Sequence, residues 1–295
     1  MKGTVLILGA SGHIGRHSAT AFGNAGWSVR RFNRNTNNMK AAAEGVDVIV
    51  NGLNPPAYKN WNTVIPAITQ QVINAARASG ATVIVPGNVY NFANVDGVFS
   101  QHTPQHAQTR KGKVRIAMEQ QYRGAAVDGV QTIILRAGSF IDPDGSHDAM
   151  GMIHMRNIKH NKLTQIGGKD TRHAYCYLPD WARAAVALAE MRTDLNGFED
   201  IPFPGHHFTV NELKTELESA TGQTFLIDNF PWTTLRLLSP FWNLAYEMLE
   251  MRGLWETSHQ LCAKRFSELL PQFVATDQST VMSCSLPTDM QLSTY

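Results

Sequence analysis

The sequence has 295 residues, 43% of them hydrophobic and 17% charged, with 26 Lys and Arg against 24 Asp and Glu for a formal charge of +2. That balance, without a long basic or acidic run, gives no electrostatic case for nucleic acid as a partner. The 3 cysteines, Cys176, Cys262 and Cys284, have no metal-ligand spacing and exclude a disulfide framework. The longest apolar stretch, residues 235–251, is interrupted by Arg236, Pro240, Asn243, Glu247 and Glu250 and cannot span a membrane.

A chain of this length forms one large domain or two intimate ones. It opens directly on a strand, with no signal-like stretch before it, so the reducing cytoplasm is the expected compartment. Neither nucleic acid nor membrane is an expected partner.

Val5, Leu6, Ile7 and Leu8 are all apolar, the pattern of a parallel strand covered on both faces. Gly9, Gly12 and Gly15 follow. The first permits a tight turn, the second close approach of a ligand to the backbone, and the third close packing of helix on strand. The helix opening near His13 aims free N–H groups over that turn, a site that favours a dinucleotide pyrophosphate. Ser11, His13 and Ile14 belong to the same cradle. The helix continues to Gly26 with Ile14, Ala19, Ala21, Phe22 and Ala25 on its inner face.

Residues 27–32 form the second strand. Arg30, Arg31, Asn33 and Arg34 stand at its end with no acid nearby. An Asp or Glu there would hold the ribose 2′-hydroxyl of NAD, whereas guanidinium groups suit a 2′-phosphate. NADP is therefore favoured, with NAD as the alternative, and Asn33 and Arg34 are the contacts expected. A short helix near residues 39–44 leads to a strand over 46–51, and Asn51 and Gly52 begin a ligand-side loop at its carboxyl end.

A helix over residues 64–78, closed by Gly80, precedes a strand over 81–85 that runs into Pro86, Gly87, Asn88, Val89 and Tyr90. A polar loop, 91–109, leads to a helix over 111–126 and a strand over 132–135 ending in Arg136, Ala137 and Gly138. This alternation is the pattern of an α/β fold, a doubly wound parallel sheet. Short strands are expected near 163–166 and 174–178, then a helix from Pro179-Asp180 to about Met191. From Gly197 Pro, Phe and Trp become frequent. Thr209 and Glu212 suit a capping box on a helix ending at Gly222, followed by a strand near 225–227 and a helix over 235–251. The last two elements complete a smaller substrate-side lobe. The Trp and Met residues of the final helix suit core or dimer contact, so a homodimer is a possible assembly.

The order of these landmarks resembles the extended or atypical short-chain dehydrogenase/reductase superfamily, the NAD-dependent epimerases and dehydratases. Its carriers are Gly9-Gly12-Gly15, Arg34, Asn88-Val89-Tyr90, Leu135-Arg136-Ala137-Gly138 and the stretch Tyr177-Leu178-Pro179-Asp180-Trp181-Ala182. The resemblance implies a Rossmann-type NAD(P) domain over residues 1–141 and 173–196, with a substrate-side lobe over 142–172 and 197–275. Residues 276–295 form a tail expected to be poorly ordered. It also implies hydride transfer, with a Tyr moving the proton and a Lys four residues on favouring the phenolate.

The pair is absent. Aligning on Glu119 puts Lys111 in the place of the Tyr and Arg115 in the place of the Lys, and Pro86 stands where a hydroxyl residue is usual. No Tyr is followed by Lys at the fourth position. Replacement acid/base candidates are Lys111, Tyr90 and Tyr177, and the basic group Arg110, Lys111, Lys113 and Arg115 could hold an anionic substrate. The link from Arg34 to Val46 is too short for another strand and crossover, so the sheet is expected to lack one edge strand.

Cofactor contacts expected are Gly9, Ser11, Gly12, His13, Ile14, Gly15, Asn33, Arg34, Asn51, Gly52, Pro86, Gly87, Arg136, Ala137 and Gly138. No metal site is expected, since His102, His106, His206 and His207 are read as loop residues. The leading reading is an NAD(P)-dependent oxidoreductase or epimerase/dehydratase-like enzyme for a small, anionic or sugar-type substrate. Two alternatives are a non-catalytic NADP sensor or regulator and a structural interaction protein.

Overall fold

The structure is a computed structural model that describes residues 2–35, 38–92, 94–144 and 148–290. The chain alternates as the sequence predicts: β1 (Thr4–Leu8), α1 (His13–Asn24), β2 (Ser28–Arg31), α2 (Met39–Ala42), β3 (Val48–Asn51), α3 (Trp61–Ser79) and β4 (Thr82–Gly87). There follow β5 (Gly97–Phe99), α4 (Arg110–Ala126), β6 (Thr132–Arg136), β7 (Ser139–Ile141), β8 (Lys162–Gln165), β9 (His173–Tyr177) and α5 (Leu178–Glu190). The last third holds β10 (Phe198–Pro202), β11 (His206–Phe208), α6 (Val210–Thr221), β12 (Leu226–Asn229), α7 (Trp232–Leu238), α8 (Asn243–Glu250), α9 (Arg252–Trp255), β13 (His259–Leu261), α10 (Lys264–Leu269) and α11 (Gln278–Ser283).

Six parallel strands in the order β10-β6-β4-β3-β1-β2 form the main sheet. Its two faces bury different apolar sets because successive side chains of a strand point to opposite sides. Val5, Ile7, Val48 and Val50 meet α1 and α5, while Leu6, Leu8 and Ile49 meet α3 and α4. Trp181 of α5 is fully buried and donates its indole N–H to the Leu135 carbonyl at 3.1 Å, which fixes α5 to the end of β6.

Among the described residues β2 is the sheet edge, and the link after it carries only the short helix α2. The opposite edge is β10, within the segment assigned above to the smaller lobe. The sequence assigns no strand here, yet Phe198–Pro202 pairs with β6, and its Glu199 and Asp200 are both buried. Asp200 is satisfied by Arg136 of the neighbouring strand, at 2.6 Å and 3.0 Å.

A further core is formed by Ile141, Met150, Leu163, Tyr175, Phe208, Leu213, Leu217 and Phe225. Val281 and Met282 of α11, with Leu286 and Met290, are buried in it. Thr209 caps α6 through the expected reciprocal bonds with Glu212. The stretch 91–109 contains β5, which pairs with β13. The expected single helix over 235–251 is two, because Ser239-Pro240 breaks it into α7 and α8. His206 and His207 lie in β11, not in a loop. No helix among the described residues is long and apolar enough to cross a membrane.

Candidate active site

The carboxyl ends of β3, β4 and β6, with Ile14 of α1, surround a cavity of about 210 Å³, lined among others by Asn51, Gly52, Leu53, Tyr58, Trp61, Pro86, Asn88, Tyr90, Arg115, Ala137 and Gly138. Ligands bind at this end of an open parallel sheet because the loops diverge there and helix N-termini face inward.

The glycine turn fits a pyrophosphate on three counts. Gly9 has φ of +74° and is packed so closely that a Cβ on it would lie 2.8 Å from the Gly52 carbonyl oxygen. A Cβ on Gly15 would overlap the Gly9 carbonyl, so helix and turn are in direct contact. Gly12, by contrast, has room: an added Cβ meets only the Gly9 oxygen, at 3.4 Å. Gly12 caps α1 without any side-chain bond to the first amides, which leaves them for an anionic ligand. Ser11 and His13 are exposed beside Gly12, and Ile14 lines the cavity.

The His13 imidazole is turned away from the turn, onto the buried carboxylate of Asp142, which also binds Arg16 and, at 2.9 Å, His17. Burial would push the Asp142 carboxyl up, but the bonds from His13 and His17 hold it at about 2. His17, Asp142 and Asp144 come together at metal-ligand distances. Arg16 occupies the same carboxylate, and that cation opposes a metal ion there.

Where β2 finishes, Arg31 and Arg34 are exposed, with Asn33 between them in the sequence. Arg30 is committed to structure, donating to the carbonyls of Ala42 and Glu44 at 2.7 Å and 2.8 Å.

The cavity carries a phenol pair and a buried cation. The Tyr58 and Tyr90 hydroxyls are 3.3 Å apart. The charge that Tyr90 would carry as a phenolate, together with burial, pushes the Tyr58 phenol well above its ordinary value. Tyr58 therefore keeps its proton and can donate to Tyr90. Its backbone has φ of +59°, a left-handed conformation that costs a bulky residue about 1–3 kcal/mol and is characteristic of functional sites.

Arg115 is 8% exposed and donates Nη2 to the Pro86 carbonyl, while its Nε has no hydrogen-bond partner among the described residues. Burial pulls the guanidinium below its ordinary value against the opposing pull of Glu119, although a guanidinium stays charged at neutral pH. Trp61, 6% exposed, also has an indole N–H without a partner. Buried donors almost always find acceptors, and these two belong to residues that line the cavity.

Several residues singled out in the sequence have other work. Lys111 is 3% exposed and is clasped by Glu247 and by Glu250, the latter at 2.7 Å, with its ammonium 4.7 Å from the centre of the Tyr58 ring. It joins α4 to α8 and does not line the cavity. Arg136 is fully buried between Glu119 and Asp200, bonded to both. Burial disfavours its charge, but the two carboxylates outweigh that and keep it protonated. It holds β6, α4 and β10 together and does not line the cavity. Gly87 is required by packing, since a Cβ would lie 2.6 Å from Ile134 and 3.0 Å from the Arg136 backbone. Tyr177 ends β9 as the N-cap of α5 and stands outside the cavity. Asn51 lines the cavity and also fixes local structure, donating to the Tyr122 hydroxyl at 3.2 Å. Tyr58 and Trp61 carry no sequence motif; the Pro-rich loop after Asn51 was the only signal for them.

Over 95–96% of its length the chain is similar in fold to solved structures of UDP-sugar epimerases and of MoeE5. MoeE5 in complex with UDP-glucuronic acid and NAD has a TM-score of 0.76 at 16% identity, over 96% of this chain and 97% of that one. A UDP-glucose-4-epimerase from Stenotrophomonas maltophila, with bound NAD and formylated UDP-arabinopyranose, has a TM-score of 0.75 at 15% identity, over 95% and 96% of the two chains. The UDP-glucuronic acid 4-epimerase from Bacillus cereus in complex with UDP-glucuronic acid and NAD gives 0.72 at 15% identity, over 95% and 97%. No protein-family model matches the sequence, and no curated protein sequence matches it either.

Proposed function

We propose that this protein is an NAD(P)-dependent oxidoreductase of the epimerase/dehydratase type, acting on a small, anionic or sugar-type substrate with a non-standard acid/base group. The observation that carries the reading is the placement of Tyr90, Tyr58 and Arg115 around one cavity that also takes in Ile14, in the first turn of the helix that follows the glycines. The structural neighbours, co-crystallised with NAD and nucleotide sugars, support the same assignment.

When bound, the nicotinamide supplies or accepts the hydride. Ser11, Gly12, His13, Ile14 and Gly15 offer backbone around the pyrophosphate. Arg34, with Arg31 and Asn33, favours the 2′-phosphate of NADP. Asn51, Gly52, Pro86, Ala137 and Gly138 form the walls further in. The Tyr90 hydroxyl donates a proton to the substrate oxygen in reduction, and as the phenolate takes one from the substrate hydroxyl in oxidation, with Tyr58 donating a hydrogen bond to the Tyr90 oxygen. Arg115, the cation lining the cavity, faces negative charge developing on the substrate oxygen, in a buried setting where such an interaction is strong.

The experiment is calorimetry with NADPH and NADH, followed by NADPH turnover with a panel of aldehydes, ketones and UDP-sugars. Tighter binding of NADPH than NADH, and turnover that falls with Tyr90→Phe, are expected. Binding without turnover on any substrate would favour the regulatory reading, and failure to bind either dinucleotide would overturn both.

A further inference from the structure

We propose that the α7–α8 hairpin docks on an anionic lipid surface. Of the 11 large hydrophobic side chains exposed among the described residues, 5 fall within ten positions: Leu237 (77%), Leu238 (43%), Phe241 (91%), Trp242 (45%) and Tyr246 (48%). Such clustering is a patch, not the scatter that any surface shows. Ser239-Pro240 turns the chain between the two helices, so Leu237, Leu238, Phe241 and Trp242 crowd onto the turn and its immediate flanks.

The inward face of the hairpin is already packed. Leu235 and Ala245 are buried with Ile153, Ile166 and Phe230, and Glu247 and Glu250 grip Lys111 and Arg110. The outward face is therefore fixed in place, with its apolar groups in water.

Charge selects the occupant. Residues 229–246 contain no acid, and Arg236 is exposed among the apolar groups. The acids that follow, Glu247 and Glu250, are spent on Lys111 and Arg110. Two neighbouring elements add exposed cations, Lys59 after the turn that packs on α8 and Lys113 in the first turn of α4. Trp, Tyr and Phe with flanking basic residues suit the headgroup boundary of a bilayer, and anionic lipid complements the cations.

A second copy of the chain fits less well, because a two-fold dimer through this face would bring Arg236 and its basic neighbours against their own copies. No spanning segment is needed for surface docking, so the apolar-length criterion that set membranes aside in the sequence does not bear on it.

Flotation of the full chain with phosphatidylcholine vesicles, with and without phosphatidylglycerol, tests the proposal. Recovery with the phosphatidylglycerol vesicles is expected, weakened by high salt. The double substitution Leu237→Asp and Phe241→Asp should lower the bound fraction at least about tenfold with the thermal melt unchanged, and Arg236→Glu should weaken binding to anionic vesicles selectively. No flotation with either vesicle, or equal flotation of the double variant, would overturn it. So would a lipid-free dimer in sedimentation velocity that disappears on Phe241→Asp.

Discussion

The hydroxyl of Tyr58 stands 3.3 Å from that of Tyr90, joining the loop after β3 to the loop after β4 at the inner end of the cavity. Tyr58 remains protonated because the neighbouring Tyr90 and burial both disfavour its ionised form. If Tyr90 moves the substrate proton, Tyr90→Phe should lower kcat by about 10²- to 10⁴-fold. Tyr58→Phe removes only the supporting hydrogen bond and should cost about tenfold. The check is steady-state kinetics on a substrate found by the turnover panel; equal rates for wild type and Tyr90→Phe would remove Tyr90 from the chemistry.

Lys111 ties α4 to α8 through Glu247 and Glu250. Lys111→Met leaves two partly buried carboxylates facing each other with only the exposed Arg110 beside them, which is destabilising. Limited proteolysis should therefore cut faster within residues 232–256, while kcat falls far less than for Tyr90→Phe. A loss of kcat as large as that of Tyr90→Phe, with no change in proteolysis, would return Lys111 to the role its sequence position suggested.

Arg136→Met should destabilise the fold by about 3–5 kcal/mol, since Glu119 and Asp200 would be left buried and unpaired. Arg136→Lys should rescue little, because one ammonium cannot reproduce two forked contacts. Urea unfolding measures both. An unfolding midpoint equal to wild type would show that the three-residue network contributes nothing.

The glycine turn, the βα alternation and the missing edge strand were legible because each is a local pattern: a glycine spacing, an apolar run, a link too short for a crossover. Arg136 and Asp200 were not, since their meaning lies in a pairing across 64 positions. Without its partner, Arg136 next to Ala137-Gly138 looked like a ligand contact, and the edge strand that carries Asp200 went unassigned. The pairing of β5 with β13 was hidden for the same reason. Lys111 illustrates the converse, a residue placed correctly on its helix whose partners arrive from 136 and 139 positions away.

Acid should unfold the protein through its buried histidines. His154 donates Nδ1–H to the Thr164 carbonyl at 2.9 Å and accepts from the Tyr175 hydroxyl at Nε2, 3.0 Å away, so both nitrogens are satisfied in the neutral ring. Burial depresses His154 to about 4, and burial together with His259 and His154 depresses His173 to about 3. The unfolded chain, with histidines near the ordinary 6.5, takes up protons first. The stabilisation is complete above about pH 6.5 and is lost as pH falls through 4 and 3, several kcal/mol for the two groups together. The urea midpoint should drop between about pH 7 and pH 5 and continue to fall below it, with a shallower slope in His154→Gln. A midpoint constant over that range would contradict this.

The most direct test compares Gly12→Ala with Gly15→Ala by calorimetry against NADPH and by thermal melting. Gly12 has space for a methyl group in the protein itself, whereas Gly15 does not. If a dinucleotide pyrophosphate lies over this turn, Gly12→Ala melts as wild type does but loses at least about tenfold in NADPH affinity, while Gly15→Ala is destabilised by the clash. NADPH binding by Gly12→Ala at the wild-type affinity, or no binding by the wild type, would contradict the assignment.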